Sequence, residues 1–177
     1  MAFSVPVDTS PRTSEAERLR SALALLESSD LGGSQQAVSG TYKTLVSMFA
    51  TTGSTRRGKL YDILIGTNGT PADNYVEWDV SRMSADGTGS AITPNALDPA
   101  DAAAAGTSKA NYTVEPTVTA NSSVFYVGVN QRASYRWVAA PGSELVYPAT
   151  ANNGLVGRAR SGGYTGTATM KCLVEEQ

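Results

Sequence analysis

Short apolar runs separated by turn residues follow one another from Gly40 to the end of the chain. The runs span 41–50, 59–65, 74–80, 112–118, 122–129, 133–139, 144–147, 155–160 and 165–174. They recur about every 8–15 residues, a spacing typical of an antiparallel β-sandwich or jelly roll. Asn68-Gly69 is a clear turn between two of them, because both residues accept left-handed backbone angles. We therefore expect an all-β domain over residues 40–177.

The run over 74–80 alternates strictly between apolar and polar side chains. One face would hold Val76, Trp78 and Val80, and the other would hold Tyr75, Glu77 and Asp79. This period of two indicates a half-buried strand. The run over 59–65 is apolar almost throughout, which favours a strand inside a sandwich. The expected core residues are Trp78, Trp137, Phe125, Ile63 and Leu64.

The first 39 residues follow a different pattern. Prolines disfavour helix at the residue before them, so residues 1–13 read as an extended arm. Ser14 and Glu17 then fit a capping box at the start of a helix. The residues at helical spacing after it are Leu19, Ala22, Leu23 and Leu26. The pattern predicts one helix over 14–29, whose leucine stripe would pack either in the core or on a neighbouring subunit.

The chain contains no histidine and a single cysteine, Cys172. Ser-His-Asp triads, Cys-His pairs and histidine metal sites are therefore excluded. Cys172 lies in an alternating run, where we expect a small buried apolar side chain. A formal net charge of -2 argues against general nucleic-acid binding. No run approaches the roughly 20 apolar residues of a membrane span, and the first residues lack the pattern of a signal peptide.

Paired carboxylates are the remaining acid–base machinery. Glu77 and Asp79 would lie within about 7 Å of one another on one strand face. This separation overlaps that of inverting glycoside hydrolases. The same two residues suit the solvated face of any strand, and we favour that interpretation, with no catalytic site. For Asp98 and Asp101 we favour a cap and a surface charge over calcium ligands.

Two groups of arginines are candidate contact residues. Arg56 and Arg57 precede a strand, where they form either a solvated turn or a salt-bridging contact with an acidic neighbouring subunit. A second basic face would form if the strands that carry Arg132, Arg136, Arg158 and Arg160 were neighbours. Arg158 and Arg160 share a face if their run is extended.

Two segments carry a resemblance to a known group of proteins. The first is Gly58-Lys59-Leu60-Tyr61-Asp62-Ile63-Leu64-Ile65-Gly66, which continues through 71–74 to 78–82. The second runs from Gln131 to Leu145, followed by 163–168. Together they cover about half of the chain and resemble the small β-sandwich virion proteins of tailed bacteriophages, which are similar to capsid decoration (cement) proteins.

The resemblance implies a structural role with no catalytic residues, metal or cofactor. Such a protein would bind the major capsid protein of its own virion between capsid subunits, as a homotrimer, and stabilise the phage head. It would be made in the host cytoplasm, would sit on the capsid surface, and would bind neither nucleic acid nor membrane. The expected contact elements are the loop over 95–109 and the residues Phe3, Val5, Leu19, Leu23, Leu26, Arg56 and Arg57.

The alternative is a tail or fibre component of the same virion, with a receptor- or carbohydrate-binding β-sandwich. A sugar-binding face usually displays several exposed aromatic side chains. Only Tyr75 stands out near the carboxylates in the sequence, which weakens that alternative.

Overall fold

The computed structural model describes residues 23–28, 41–70, 72–100, 103–164 and 168–176. These residues form strands and turns, and no helix occurs among them. The strands are β1 (Leu23–Ser28), β2 (Lys43–Phe49), β3 (Gly58–Thr67), β4 (Tyr75–Ala85), β5 (Thr88–Ile92), β6 (Asn95–Ala96), β7 (Thr107–Val114), β8 (Thr117–Asn130), β9 (Tyr135–Val138), β10 (Leu145–Tyr147), β11 (Gly154–Arg160) and β12 (Ala168–Glu176).

The strands form two six-stranded sheets, and every pairing is antiparallel. Sheet I has the order β10-β3-β12-β1-β6, and β9 also pairs with β3. Sheet II has the order β5-β7-β2-β11-β4-β8. In sheet I, two short strands share one edge of β3: β10 pairs with residues 58–60 and β9 with residues 62–65. The expectation of an all-β, antiparallel protein is confirmed.

One hydrophobic core joins the two sheets. Sheet I contributes Ile63 and Met170, and sheet II contributes Leu45 and Trp78, all of which are fully buried. Phe125 packs against this core at the edge of sheet II, and its ring lies 5.6 Å from the ring of Trp137 and 6.3 Å from that of Tyr135 in β9. Residues of both sheets therefore contribute to the same core. A smaller cluster of Phe49, Met83 and Val156 lies apart from the main core.

The helix predicted over 14–29 is wrong at residues 23–28, where the chain forms β1. This strand pairs with β12 along its length and with β6 at Ala24 and Leu25. The leucine spacing is ambiguous, because Leu23 and Leu25 also fit the period of a strand. Backbone partners on both edges decide in favour of the strand, since tertiary pairing overrides local helix propensity. The arm at 1–13 and the rest of the predicted helix lie outside the described residues.

Leu64 was expected in the core, but it faces outward and is 42% exposed. The cause is a register shift between β3 and β12: Leu173 lies opposite Asp62, whereas Val174 lies opposite Leu60. The extra residue in β3 reverses the side-chain alternation, as a β-bulge does. Ile63 and Ile65 then point inward and are buried.

The region over 83–110, which includes the loop expected over 95–109, contains β5, β6 and the start of β7. The strand predicted over 112–118 is interrupted at 115–116, where β7 ends and β8 has not begun. A proline at position 116 cannot donate a ladder hydrogen bond, which explains the break. The carboxylate of Asp98 accepts a hydrogen bond from the Ala100 amide at 2.9 Å, as expected of a cap.

Replacing Gly154 by alanine should destabilise the fold. A Cβ atom at this position in β11 would overlap the backbone oxygen of Met48 in β2. The strands would have to separate, at a cost of about 1–3 kcal/mol. Gly66 in β3 is the matched control, because a Cβ atom there meets nothing within 4 Å. Urea unfolding should show a clear loss for Gly154→Ala and almost none for Gly66→Ala; equal stability of the two variants would contradict the packing of β2 on β11.

Candidate functional site

The outer face of sheet II carries a cross-strand row of charged side chains. In β4, Val76, Trp78 and Val80 are fully buried, as the alternation predicted. Their neighbours Glu77 and Asp79 therefore project from the opposite face. Strand β11 runs antiparallel beside β4, so that Arg158 lies opposite Asp79 and Arg160 lies opposite Glu77. The pair of carboxylates and the pair of arginines, both predicted from the sequence, meet at one site.

Asp79 is almost entirely buried, and its carboxylate is fully occupied by donors. Arg158 donates to Asp79 Oδ2 from Nε at 2.9 Å and from Nη2 at 2.5 Å. The hydroxyl of Ser81 donates to the same oxygen at 2.7 Å, and that of Ser123 donates to Oδ1. Buried charges are tolerated when they are paired and hydrogen-bonded in this way. Asp79 therefore links β4 to β11 and β8.

Glu77 has a comparable set of partners. Arg160 donates to its Oε2 from Nε at 2.7 Å, and the hydroxyl of Tyr42 donates to the same oxygen at 3.0 Å. The ring of Tyr42 lies beneath both guanidinium groups, 4.7 Å from that of Arg158 and 4.6 Å from that of Arg160. Tyr42 thus adds a cation–π contact to the hydrogen bond.

The electrostatics of Glu77 oppose a role as a general acid. The hydrogen bond from Arg160 holds the pKa of Glu77 below its usual range, and the hydrogen bond from Tyr42 acts in the same direction, while burial opposes them. Burial and the bond to Glu77 raise the pKa of Tyr42 to about 12. A catalytic acid in a glycosidase needs the opposite shift, a raised carboxyl pKa. The bonds from Arg160 and Arg158 hold the carboxylates of Glu77 and Asp79 between β4 and β11.

The second basic face, which required the strands of the four arginines to be neighbours, does not form. Arg136 lies in β9 of sheet I, where Nε donates to both carboxylate oxygens of Asp62 at 3.1 Å. Arg132 follows β8 and lies 3.3 Å from a carboxylate oxygen of Asp73. Arg136 lies in sheet I, whereas Arg132 follows β8 and the arginines of β11 lie in sheet II, where β4 separates β8 from β11. Each one faces its own carboxylate.

The outer face of sheet I contains an apolar area that sequence reasoning missed. Leu64 and Val138 are 42% and 57% exposed, and they lie on neighbouring strands. They flank the ion pair of Asp62 with Arg136, and Leu173 and Lys171 of β12 are half-buried beside it. We call Leu64, Val138, Asp62, Arg136 and Leu173 the sheet I patch. Leu64 turns to this face because of the bulge in β3, which the sequence pattern does not predict.

A pair of exposed tyrosines lies on the outer face of sheet II. Tyr75 begins β4 and Tyr126 lies in β8; they are 54% and 55% exposed, and their hydroxyl oxygens are 3.4 Å apart. Sequence reasoning recognised Tyr75 but not Tyr126, which lies in the mainly apolar run Val124-Phe125-Tyr126-Val127. The alternation of β8 places Phe125 against the core and Tyr126 on the outer face. This alternation is the sequence pattern that could have identified Tyr126 as exposed.

The residues expected to contact the capsid lie in different parts of the chain. Arg56 lies 4.0 Å from Glu176 of the same chain, so its carboxylate partner is internal. Arg57 is exposed. Leu23 and Leu26 lie in β1, and Phe3, Val5 and Leu19 lie outside the described residues.

The loop over 95–109 is attached to the end of β12. The carboxylate of Glu176 accepts hydrogen bonds from the amides of Ala105 and Gly106, both at 2.7 Å. Leu97 in this loop is 50% exposed. Asp101 lies outside the described residues. The loop thus has a fixed anchor at one end and an exposed apolar side chain near the other.

Cys172 is fully buried, as predicted, and burial raises the pKa of its thiol. Among the described residues, no cluster of histidine, cysteine, aspartate or glutamate could hold a metal ion. The same residues include no helix long and apolar enough to cross a membrane. Searches of protein-family models, curated proteins and solved structures gave no match to this chain.

Glu77 should make the stability of the fold depend on acidity. Its pKa is lower in the folded chain than the ordinary value of 4.5. Its contribution is therefore present above the unfolded pKa and is lost as the pH falls through the lower, folded value. The free energy of unfolding of Glu77→Gln should fall below that of the wild type at about pH 7, and the gap should narrow towards about pH 3. Urea unfolding across this range tests the expectation, which a gap independent of pH would contradict.

Proposed function

We propose that the chain is a structural virion protein that decorates the head of a tailed phage and binds between capsid subunits. Two sheets around one core are the arrangement of a β-sandwich, and we interpret the fold as one. This interpretation agrees with the sequence resemblance to small β-sandwich virion proteins. The protein would bind the major capsid protein of its own virion as a homotrimer and would sit on the capsid surface.

The observation that carries the proposal is the contrast between paired charges and exposed apolar side chains. In the described part of the chain, ion pairs occupy the carboxylates of Asp62, Asp73, Glu77, Asp79, Asp86, Glu115 and Glu176. Carboxylates held in ion pairs are suited to keeping the protein rigid. Exposed apolar side chains remain beside them and are suited to contact with another protein.

The sheet I patch is the proposed contact with the shell. Its ion pair is internally neutral, and the apolar side chains of Leu64 and Val138 lie at either side of it. A small patch of this kind gives weak binding by itself. Simultaneous engagement by the three copies of a trimer would raise the overall affinity through effective concentration.

Co-sedimentation with heads tests the proposal. Heads assembled from the major capsid protein of the same virus, without this chain, are mixed with purified protein and centrifuged. Wild-type protein should sediment with the heads and saturate at a fixed copy number. Leu64→Ser and Val138→Ser should each weaken binding about tenfold, because each loses apolar burial.

A matched control lies elsewhere on the same chain. Val114 is 59% exposed, close to the 57% of Val138, and lies outside the expected contact loop over 95–109. Val114→Ser should bind heads as the wild type does. Equal binding by the patch variants and this control would remove the patch from the interface. Wild-type protein that stays in the supernatant, or antibody labelling of virions at a single vertex, would overturn head decoration itself.

The role expected for the N-terminal segment needs a deletion that spares β1. Removal of residues 1–30 would also remove a strand that pairs with β12 and β6, so lost binding could not be separated from lost folding. Removal of residues 1–22 leaves β1 in place. If Phe3, Val5 and Leu19 contact the shell, this shorter deletion should reduce co-sedimentation while thermal unfolding stays cooperative. Unchanged binding would exclude the segment as a contact element.

A further inference from the structure

The exposed tyrosine pair on sheet II has a geometry that the scaffold role does not require. Tyr75 lies opposite Asn130 of β8, whereas Tyr126 lies opposite Asp79 of β4. Their backbone positions are therefore four residues apart along the strands, about 13 Å by strand geometry. The hydroxyls nevertheless approach to 3.4 Å, so the two rings lean towards each other along the sheet.

Gly128 makes this arrangement possible. A Cβ atom at Gly128 would overlap Cζ, Cε2 and the hydroxyl oxygen of Tyr75. The outer half of the Tyr75 ring therefore rests on the backbone of β8, in the space that any other residue would fill with its side chain. Aromatic side chains commonly cover strand glycines in this way. The ring is supported from below, and 54% of the side chain stays open to solvent.

A carboxylate and a guanidinium group lie directly beside the rings. Glu77 is opposite Gly128, between the two tyrosines. Arg160, 38% exposed, is bound to Glu77. Supported aromatic rings are thus adjacent to an acceptor, a cation and phenolic hydroxyls. The local charge is balanced, because Glu77 and Arg160 neutralise each other.

This combination matches the chemistry of a sugar ring. A pyranose has a face of C–H groups that stacks on an aromatic ring, and hydroxyls at its edge that both donate and accept hydrogen bonds. Binding sites for such ligands combine aromatic contact area with a few placed polar groups. Because Glu77 and Arg160 neutralise each other, the site offers no net charge to attract an acidic or an amino sugar, which favours an uncharged one.

We propose that Tyr75 and Tyr126, with Glu77 and Arg160, form a platform that binds neutral pyranose units of a polysaccharide. The platform lies on sheet II, and the sheet I patch lies on the other sheet. The proposal does not depend on where in a virion the chain sits.

Affinity electrophoresis tests it directly. The full chain is run in native gels that contain dextran, galactomannan or arabinogalactan as neutral polymers, and alginate as an acidic one. At least one neutral polymer should retard the wild type, and alginate should not retard it more strongly. Tyr75→Ala and Tyr126→Ala should each weaken that retardation by about fivefold to tenfold.

Two further variants separate binding from folding. Gly128→Ala keeps both tyrosines but displaces the Tyr75 ring, so it should lose retardation as Tyr75→Ala does. Tyr135→Ala removes a tyrosine of 36% exposure on the other sheet and should be retarded as the wild type is. Thermal unfolding of each variant verifies that the fold is retained.

The proposal is overturned if no neutral polymer retards the wild type, if alginate alone does, or if the platform variants behave as Tyr135→Ala does. Capture of a peptide from a peptide array that is sensitive to Tyr75 but not competed by the polymers would also overturn it, in favour of a protein partner. Head co-sedimentation of Tyr75→Ala should equal that of the wild type, so the two proposals fail independently.

Discussion

The pairing of β4 with β11 fixes both faces of sheet II at once. On the inner face, Trp78 lies opposite Ala159, and both are fully buried. On the outer face, Asp79 lies opposite Arg158 and Glu77 opposite Arg160. A slip of one residue would turn the arginines towards the core if β11 moved, or the tryptophan towards solvent if β4 moved. The ion pairs and the core packing thus specify the same register, and this agreement between levels favours a single folded state.

The properties of the surface follow from that register. Because Glu77 and Asp79 face arginines, both carboxylates are held in ion pairs between β4 and β11, and burial of the Asp79–Arg158 pair is compatible with folding. The charged row also sets the surroundings of the tyrosine pair, since Glu77 lies between Tyr75 and Tyr126. Sheet I presents a different outer face, where Leu64 and Val138 flank a single ion pair. The two proposed contacts therefore use different sheets and different chemistry.

Much of this could be predicted from local sequence. The alternation in β4 identified Trp78 as core and placed Glu77 with Asp79, because strand periodicity depends only on neighbours in sequence. The extended run at 155–160 placed Arg158 with Arg160 for the same reason. That these two pairs would meet depends on contacts between residues about 80 positions apart, which no local pattern reveals. The sequence therefore indicated the carboxylates and the arginines, but not that they pair with and neutralise one another.

The errors have physical causes of the same kind. Leucines at 23, 25 and 26 fit a helix or a strand, and only the free edges of β12 and β6 decide between them. Leu64 belongs to a continuous apolar run whose phase is set by a bulge against β12. Tyr126 forms a surface pair with Tyr75 on the adjacent strand, and Gly128 leaves the space that the Tyr75 ring occupies. In each case, the structure of the residue depends on a partner that is distant in sequence or on a glycine that has no side chain.

The most direct test of the β4–β11 register is a pair of double-mutant cycles read by urea unfolding. One cycle combines Asp79→Ala with Arg158→Ala, and the control combines Asp73→Ala with Arg132→Ala, an ion pair whose side chains are 81% and 56% exposed. We expect a coupling free energy of about 2–3 kcal/mol for the buried pair and below about 0.5 kcal/mol for the exposed one. Equal, small couplings in both cycles would contradict the account.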